Sequence, residues 1–379
     1  MLEARPAPAA KYLLLGSTLL LAVGGLLMIF SASSAKDFID VGSIYYHVGR
    51  QAIFLALGLV ALMIGMRVPA AFVRKMGWPV LILSDLGLLA VFVLGVGKYG
   101  AVRWIDLGFT TLQPSEFAKL GCVLVVAGIV ADRERHPGTP LRDDIIKGAL
   151  AVLIPFGFVM IQPDMGTAMS ILIAVFMVLL LGGLSMGYVL GALGVAAVAV
   201  PVLIMVKPYR AQRFLSFLNP SADPLDAGYQ VLQARLAFGS GGVFGLGLGM
   251  SRQKYLYLPA AHTDFIFAII GEELGLLGSA AVVAAFGVMC YAGIKLALST
   301  SDLYSRLVAG GLTTMIVTAA LINMGSVTGL MPVTGVPLPL VSYGGSSLVF
   351  TLGCIGLILG VTRSGQRSSS PRPSAPRRG

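Results

Sequence analysis

Long apolar runs, separated by short polar segments, follow one another along most of this chain. A helix needs roughly 20 predominantly apolar residues to cross the hydrocarbon core of a bilayer, and ten runs approach that length. The pattern therefore predicts an all-α polytopic membrane protein with ten transmembrane helices. The predicted spans are Tyr12–Phe30, Gln51–Met66, Val80–Val96, Phe117–Ala131, Gly148–Ile161, Met165–Gly182, Tyr188–Val206, Phe265–Leu298, Leu307–Leu330 and Ser347–Val361.

Composition supports the same class. Hydrophobic residues make up 56% of the chain and charged residues only 12%, and the mean hydropathy is +0.88. A soluble domain usually has about twice that charged fraction, so a soluble globular protein is excluded. The odd number of cysteines, all inside apolar runs, indicates small buried side chains rather than a disulfide framework. They are Cys122, Cys290 and Cys354.

The basic residues predict the orientation. Short cytoplasmic loops collect Lys and Arg, and most of these residues face the cytoplasm if both termini do. The chain then divides into a cytoplasmic segment, 1–11, a ten-helix domain, 12–362, and a disordered basic tail, 363–379. One long extracytoplasmic loop, 207–264, joins helices 7 and 8. The net charge of +10 is explained by these loops and by anionic lipid, with no need for nucleic acid as a partner.

An ionisable cluster precedes the eighth predicted span. His262 and Asp264 come just before the apolar run, and Glu272 and Glu273 follow about two helical turns into it. A charge in that position costs roughly 2.5 to 3.5 kcal/mol on insertion scales. Intramembrane acids of this kind are typical of functional sites.

Other polar residues fall on the same predicted outer face. Glu116 and Lys119 are three apart after Pro114, which suits the first turn of a helix, so they can pair. The pair either neutralises two charges at the bilayer edge or presents a substrate-facing Lys. Asp164, in a tight turn, either caps the next helix or shares a site with Arg103.

The predicted outer loop adds cations and flexible backbone. Arg210 and Arg213 begin it, and Arg252 and Lys254 come near its end. They suit a lipid diphosphate, although attraction to anionic headgroups would also explain them. The glycine-rich run 239–245 allows close backbone approach or a re-entrant bend. A proline-rich connection leading to Ser342 cannot be a regular helix and is predicted to form a cavity wall.

Taken together, these motifs resemble the SEDS family (shape, elongation, division and sporulation), the bacterial RodA and FtsW proteins. The resemblance covers about residues 11 to 362, and the stretches 251–254 and 269–273 are more similar to the FtsW branch. Ala260 departs from the family, in which many members have Glu. The motifs are Arg103-Trp104, Gln113-Pro114-Ser115-Glu116, Gln162-Pro163-Asp164-Met165-Gly166-Thr167, Asp223-Pro224, Gly228-Tyr229-Gln230, His262-Thr263-Asp264-Phe265-Ile266-Phe267 and Ser342-Tyr343-Gly344-Gly345-Ser346-Ser347.

The resemblance implies an enzyme of the bacterial inner membrane. It implies a peptidoglycan glycosyltransferase that polymerises lipid II in division or elongation and releases undecaprenyl diphosphate on the extracytoplasmic face. The family's essential aspartate falls on Asp264, acting either as general base or as ligand of Mg²⁺ or Mn²⁺. The expected substrate-binding residues are Arg103, Glu116, Lys119, Asp164, Arg210, Arg213, His262 and Ser342.

The same resemblance implies partners and leaves alternatives. The expected partners are a class B penicillin-binding protein, which crosslinks the product, and other membrane proteins of the divisome or elongasome. A lipid II flippase and a non-catalytic scaffold for the transpeptidase are the competing hypotheses. A flippase needs polar residues at both faces and the midplane, whereas here they gather on the predicted outer face.

Overall fold

The structure is a computed structural model that describes residues 8–98, 101–108, 110–133, 140–183, 185, 187–188, 190–191, 194, 208–220, 228–255 and 257–367. The helices are α1 (Pro8–Val41), α2 (Tyr46–Gly65), α3 (Ala70–Leu94), α4 (Pro114–Asp132), α5 (Leu141–Ile161), α6 (Met165–Leu181), α7 (Pro208–Leu218), α8 (Tyr229–Gly241), α9 (Ile266–Leu298), α10 (Leu303–Val327) and α11 (Gly345–Arg367). The strands are β1 (Gly95–Lys98), β2 (Ala101–Asp106) and β3 (Thr111–Leu112).

The predicted helical membrane protein is confirmed. Within the described residues, eight helices are long and apolar enough to cross a membrane, and α6 is a shorter apolar helix. These nine correspond to nine of the predicted spans. The remaining span, Tyr188–Val206, lies for the most part outside the described residues, as do residues 1–7 and 368–379 of the predicted terminal segments.

The helices pack closely where small residues meet. Gly65 of α2 faces Gly356 of α11, and a Cβ atom built on Gly65 would lie 2.8 Å from the backbone nitrogen of Leu357. Without side chains between them, the two backbones come into direct contact, as is common between membrane helices. Helices α4 and α10 are the most deeply enclosed of the eight, and the others pack around them.

A small antiparallel sheet is the main departure from the all-α prediction. Strand β2 pairs with β1 and with β3, between α3 and α4. The segment alternates, with Val102 exposed and Arg103 buried, which is the period of a strand. The sequence pattern predicted a loop for this segment, because strands this short give little signal beside long apolar helices. The sheet directs Arg103 towards the interior.

The segment predicted as one long outer loop contains ordered structure. It includes α7 and α8, and its glycine-rich part bonds to a break in α9. The backbone nitrogens of Leu246 and Gly247 donate to the carbonyls of Glu272 and Glu273, each at 3.0 Å. At Gly275 the chain has φ 67° and ψ −160°, a conformation that favours glycine. The close approach expected of this glycine-rich run is confirmed.

Candidate functional site

A cavity of about 600 Å³ lies at the end of the bundle where Asp264 is found. Its walls come from the end of α1, the start of α2, the sheet, α7, the turn before α9, the connection before α11 and the start of α11. Among the described residues that line it, four are Lys or Arg and two are Asp, so it suits an anionic ligand. The charged lining residues are Lys36, Arg50, Arg103, Arg213, Asp106 and Asp264.

Asp264 lies in the turn before α9 and lines this cavity. Its backbone carbonyl accepts a 2.7 Å hydrogen bond from Nδ2 of Asn323, which fixes the turn to α10. Burial raises the pKa of the Asp264 carboxyl to about 6, although Arg103 and Arg213 act in the opposite direction. A carboxylate with this pKa is ionised near neutral pH and still basic enough to take a proton.

Arg103 is held in place by the turn between α5 and α6. Its Nε donates to the carbonyl of Gln162 at 3.3 Å, and its Nη2 donates to the carbonyl of Pro163. Its Nη1 lies 3.7 Å from Oδ1 of Asp164. Arg103 also lines the cavity. Arg103 is therefore a rigidly placed cation beside Asp264.

Asp164 caps α6 and also contacts Arg103, so the two alternatives for this residue do not exclude each other. It caps α6, since Oδ1 accepts from the backbone nitrogen of Thr167 at 3.1 Å and Oδ2 from the Thr167 hydroxyl at 2.9 Å. The predicted cap is confirmed. The same carboxylate also lies 3.7 Å from Nη1 of Arg103, a residue that lines the cavity.

Arg213 reaches the cavity from α7. Its Nη1 donates to the carbonyl of Val333 at 2.8 Å, which ties α7 to the proline-rich connection. Arg210 lies on the same helix, and its side chain is outside the described residues. The structure thus brings Arg103 and Arg213 together around Asp264, whereas Lys254, predicted on the same face, lies at Glu273 instead.

Glu116 and Lys119 form the predicted ion pair. Nζ of Lys119 donates to Oε1 of Glu116 at 2.9 Å, and both side chains are buried. They line a separate void of about 20 Å³. Pro337 and Ser347 line both spaces, so the pair lies behind the wall of the main cavity.

The double replacement Glu116→Gln with Lys119→Met should destabilise the protein less than the two single replacements added together. Each single change leaves one buried charge without its partner, which costs about 3 kcal/mol or more. Thermal unfolding of the four proteins in detergent, treated as a double-mutant cycle, measures the coupling. Additive shifts in the melting temperature would contradict the pairing.

His262 is buried in an aromatic cluster with His47 and Tyr343. Its ring centre lies 4.7 Å from that of His47 and 5.8 Å from that of Tyr343. Burial, followed by the charges of His47 and Lys36, lowers the pKa of His262 to about 3. His262 is therefore a neutral wall residue. His47 lies in the first turn of α2 and was missed because it precedes the predicted span Gln51–Met66 and no motif surrounds it.

Ser342 holds two loops together. Its hydroxyl donates to the carbonyl of Thr263 at 2.6 Å and accepts from the backbone nitrogen of Leu338 at 2.8 Å. These bonds place the proline-rich connection against the turn that holds Asp264. The connection supplies Gly335, Pro337, Tyr343 and Gly344 to the lining, so the predicted cavity wall is confirmed.

Glu272 and Glu273 bind the segment between α8 and α9 and do not line the cavity. Glu272 accepts bonds from the hydroxyl and backbone of residues 251–253. Glu273 accepts from Ser31 at 2.6 Å and lies 3.6 Å from Nζ of Lys254. Hydrogen bonds satisfy the oxygens of Glu272, and Ser31 and Lys254 stabilise Glu273, which explains how two buried carboxylates are tolerated.

The donor set around Asp264 bears on the expected divalent cation. In the described part of the chain, no group of three or more His, Cys, Asp or Glu side chains could hold a metal ion. A fully protein-built metal cage is therefore not formed by these residues. A single cavity-lining carboxylate still fits Mg²⁺ in its usual setting, in which one or two carboxylates and substrate phosphates share the ion.

The chain is similar in sequence to several known proteins. The chain is 38% identical over 350 residues to stage V sporulation protein E of Bacillus subtilis (strain 168), covering 91% of this chain and 95% of that protein. It is 37% identical over 343 residues to a probable peptidoglycan glycosyltransferase FtsW of Trichlorobacter lovleyi, covering 89% of each chain. Its FtsW-like character, as against a RodA-like one, stays a prediction.

Solved structures agree with the fold. A chain in a study of "structural coordination of polymerization and crosslinking by a peptidoglycan synthase complex" superposes with a TM-score of 0.78 at 31% identity, over 94% of this chain and 98% of that one. Rod shape determining protein RodA of Thermus thermophilus gives 0.69 at 30% identity, over 93% and 97%. The model of the FtsW, RodA and SpoVE proteins, described as "Cell cycle protein", matches residues 11–367. The chain belongs to this family, the SEDS family.

Proposed function

We propose that this chain is a peptidoglycan glycosyltransferase that polymerises lipid II into glycan strands and releases undecaprenyl diphosphate, in cell division or elongation. The observation that carries the proposal is the position of Asp264 in a positively charged cavity, beside Arg103 and Arg213. An acid next to two fixed cations is what transfer from a diphosphate leaving group requires. The names of its relatives support the same activity.

The proposed chemistry uses both kinds of group. The acceptor sugar hydroxyl attacks the anomeric carbon of the donor, a new C–O bond forms, and the bond from that carbon to the diphosphate breaks. Asp264 takes the hydroxyl proton if it acts as base. Arg103 and Arg213 neutralise the charge that develops on the departing diphosphate. Asp164 and Ser342 act as positioning residues, through Arg103 and through the Asp264 turn respectively.

A metal-dependent version makes a separate prediction. If Asp264 and the substrate diphosphate share Mg²⁺ or Mn²⁺, chelation should abolish polymerisation and either ion should restore it, because the ion would supply charge neutralisation. Glycan chain synthesis by chelator-treated protein, with and without added ion, measures this. Full activity under chelation would assign Asp264 the base role. Binding of Mn²⁺ to the substrate-loaded protein, followed by electron paramagnetic resonance, provides a readout besides activity.

The proposed topology has ten spans, with the cavity on the extracytoplasmic side and both termini in the cytoplasm. Helix α6 begins at the cavity end, where Gly166 contacts Thr334, and ends beside Gly310 at the other end of the bundle. The chain is back at the cavity end at Arg213. The chain must therefore cross the bundle once more between α6 and α7, which supports the predicted span Tyr188–Val206. Labelling of single cysteines from each side of the membrane would test the orientation.

A class B penicillin-binding protein is the proposed partner, since the structural relative comes from a synthase complex that polymerises and crosslinks. The deciding experiment supplies lipid II to the purified protein, with and without its cognate transpeptidase, and analyses the products for glycan chains. Lipid II transport in vesicles, measured in parallel, tests the flippase alternative. Transport or recruitment of the transpeptidase without chain synthesis would contradict the proposal.

A further inference from the structure

We propose that Lys36, His47 and Arg50 form a second phosphate-binding group, which holds the diphosphate of the acceptor lipid while Arg103 and Arg213 hold that of the donor. The inference rests on the proposed function, because polymerisation brings two lipid-linked substrates into one cavity. All three side chains line the cavity, and they come from the end of α1 and the start of α2. The contacts of each residue support this role.

His47 is fixed by a fully buried carboxylate. Asp37 has no exposed surface, and its oxygens accept from Nδ1 of His47, from the His47 backbone nitrogen at 3.0 Å and from the Ser33 hydroxyl at 2.9 Å. A carboxylate bound to one ring nitrogen sets the orientation of the imidazole. Nε2 is then the nitrogen available to a ligand in the cavity.

Lys36 and Arg50 line the same cavity as this imidazole. Lys36 precedes Asp37 at the end of α1, and Arg50 comes one helical turn after His47 on α2. Nη1 of Arg50 donates to the Tyr46 hydroxyl at 2.7 Å, and its guanidinium carbon lies 5.4 Å from the centre of the Tyr46 ring. The ring contact orients the guanidinium, whose planar fork suits phosphate oxygens.

This cationic group is distinct from the one at Asp264. The ring centre of His47 lies 4.7 Å from that of His262 and 4.6 Å from that of Tyr343, so it belongs to the aromatic part of the wall. Arg103 is held instead by the α5–α6 turn. The electrostatic effects separate in the same way. Lys36 and His47 lower the pKa of His262, whereas Arg103 and Arg213 lower the pKa of Asp264.

Two separate cationic groups match the chemistry of joining two lipid-linked sugars. Only the donor loses its diphosphate, while the acceptor keeps its own and must still be held so that its hydroxyl reaches Asp264. A single cationic group would leave one of the two diphosphates uncompensated in a partly dry cavity. The group of Lys36, His47 and Arg50 lines the same cavity as Asp264 and can anchor the acceptor.

Native mass spectrometry of the full-length protein in detergent counts the bound lipids directly. The probes are undecaprenyl diphosphate, undecaprenol without phosphate, and phosphatidylglycerol. Wild type should bind two diphosphate lipids, and Lys36→Gln, alone or with His47→Gln, should weaken the second binding event by about tenfold or more. The single Lys36 variant keeps the Asp37–His47 bond, so it tests the site even if the double variant fails to fold. Lys295→Gln, an exposed cation elsewhere on the chain, should still bind two.

Several results would overturn the inference. These are one bound diphosphate lipid in wild type, two bound with unchanged affinity in folded Lys36→Gln, loss of both lipids in that variant at an unchanged melting temperature, or equal binding of phosphatidylglycerol at the second site. Failure of the proposed function is distinguishable, because it appears as no glycan chains from wild type whatever the lipid count.

Discussion

Asp264→Asn is expected to reduce glycan polymerisation by about a hundredfold or more. Asn keeps the size of the side chain but has neither the basicity nor the charge that the two proposed roles require. Chain synthesis from lipid II by the purified, partner-bound variant measures the loss. The variant should still fold and still bind the transpeptidase, which separates an enzyme from a scaffold.

Asp106→Asn is the matched control, since Asp106 is a second carboxylate in the lining of the same cavity. Its Oδ1 accepts from the backbone nitrogen of Gly108 at 2.8 Å within a turn, and it has no contact with the arginines at Asp264 among the described hydrogen bonds and ion pairs. Its activity should change by no more than a few fold. Normal synthesis by Asp264→Asn would end the catalytic assignment.

The pKa of Asp264 adds a pH signature to this result. Burial raises it from 3.8 to about 6, so the ionised fraction and the activity of wild type should rise as pH increases through about 6. Stability should change in the opposite direction. Because the folded protein binds the proton more tightly than the unfolded chain, stability at Asp264 is lost as pH rises from about 4 to about 6. In Asp264→Asn this slope should be absent from melting curves measured against pH.

Arg103→Lys is expected to lower turnover by about tenfold or more, although the charge is retained. Lys has one nitrogen in place of the planar fork, so it cannot bond the carbonyls of Gln162 and Pro163, pair with Asp164 and face the cavity together. Initial rates against lipid II concentration measure the effect. Arg306→Lys is the matched control, because Arg306 also bonds a backbone carbonyl, that of Thr300, through two nitrogens at 3.2 and 3.1 Å, near the start of α10. Equal rates in both variants would contradict a specific role for Arg103.

The membrane class and most helices could be predicted from sequence because burial in lipid requires long apolar runs, which can be seen in the chain itself. Local chemistry was also readable. Asp164 caps α6 and Glu116 pairs with Lys119, because both depend only on residues three apart. Asp264 was found through its position before an apolar run and through the family motif around it.

The sheet and the glycine-rich loop depend on partners that are distant in sequence. Strand β2 needs β1 and β3 beside it, and the run after α8 needs the break in α9 at Gly275. The sequence showed that Glu272 and Glu273 were unusual. It did not show that Ser31, Ser251 and Lys254 bind them, because those contacts join separate segments of the chain.

The sequence alone determined that this is a helical membrane protein of the SEDS family with an acid at Asp264. Only the tertiary structure decided which residues share its cavity. Arg103 and Arg213 meet there, Ser342 holds the backbone behind it, and Asp37 fixes His47, which no motif had marked. The reason is physical: an apolar run records its own environment residue by residue, whereas a site is formed by helix ends that come together only when the bundle packs.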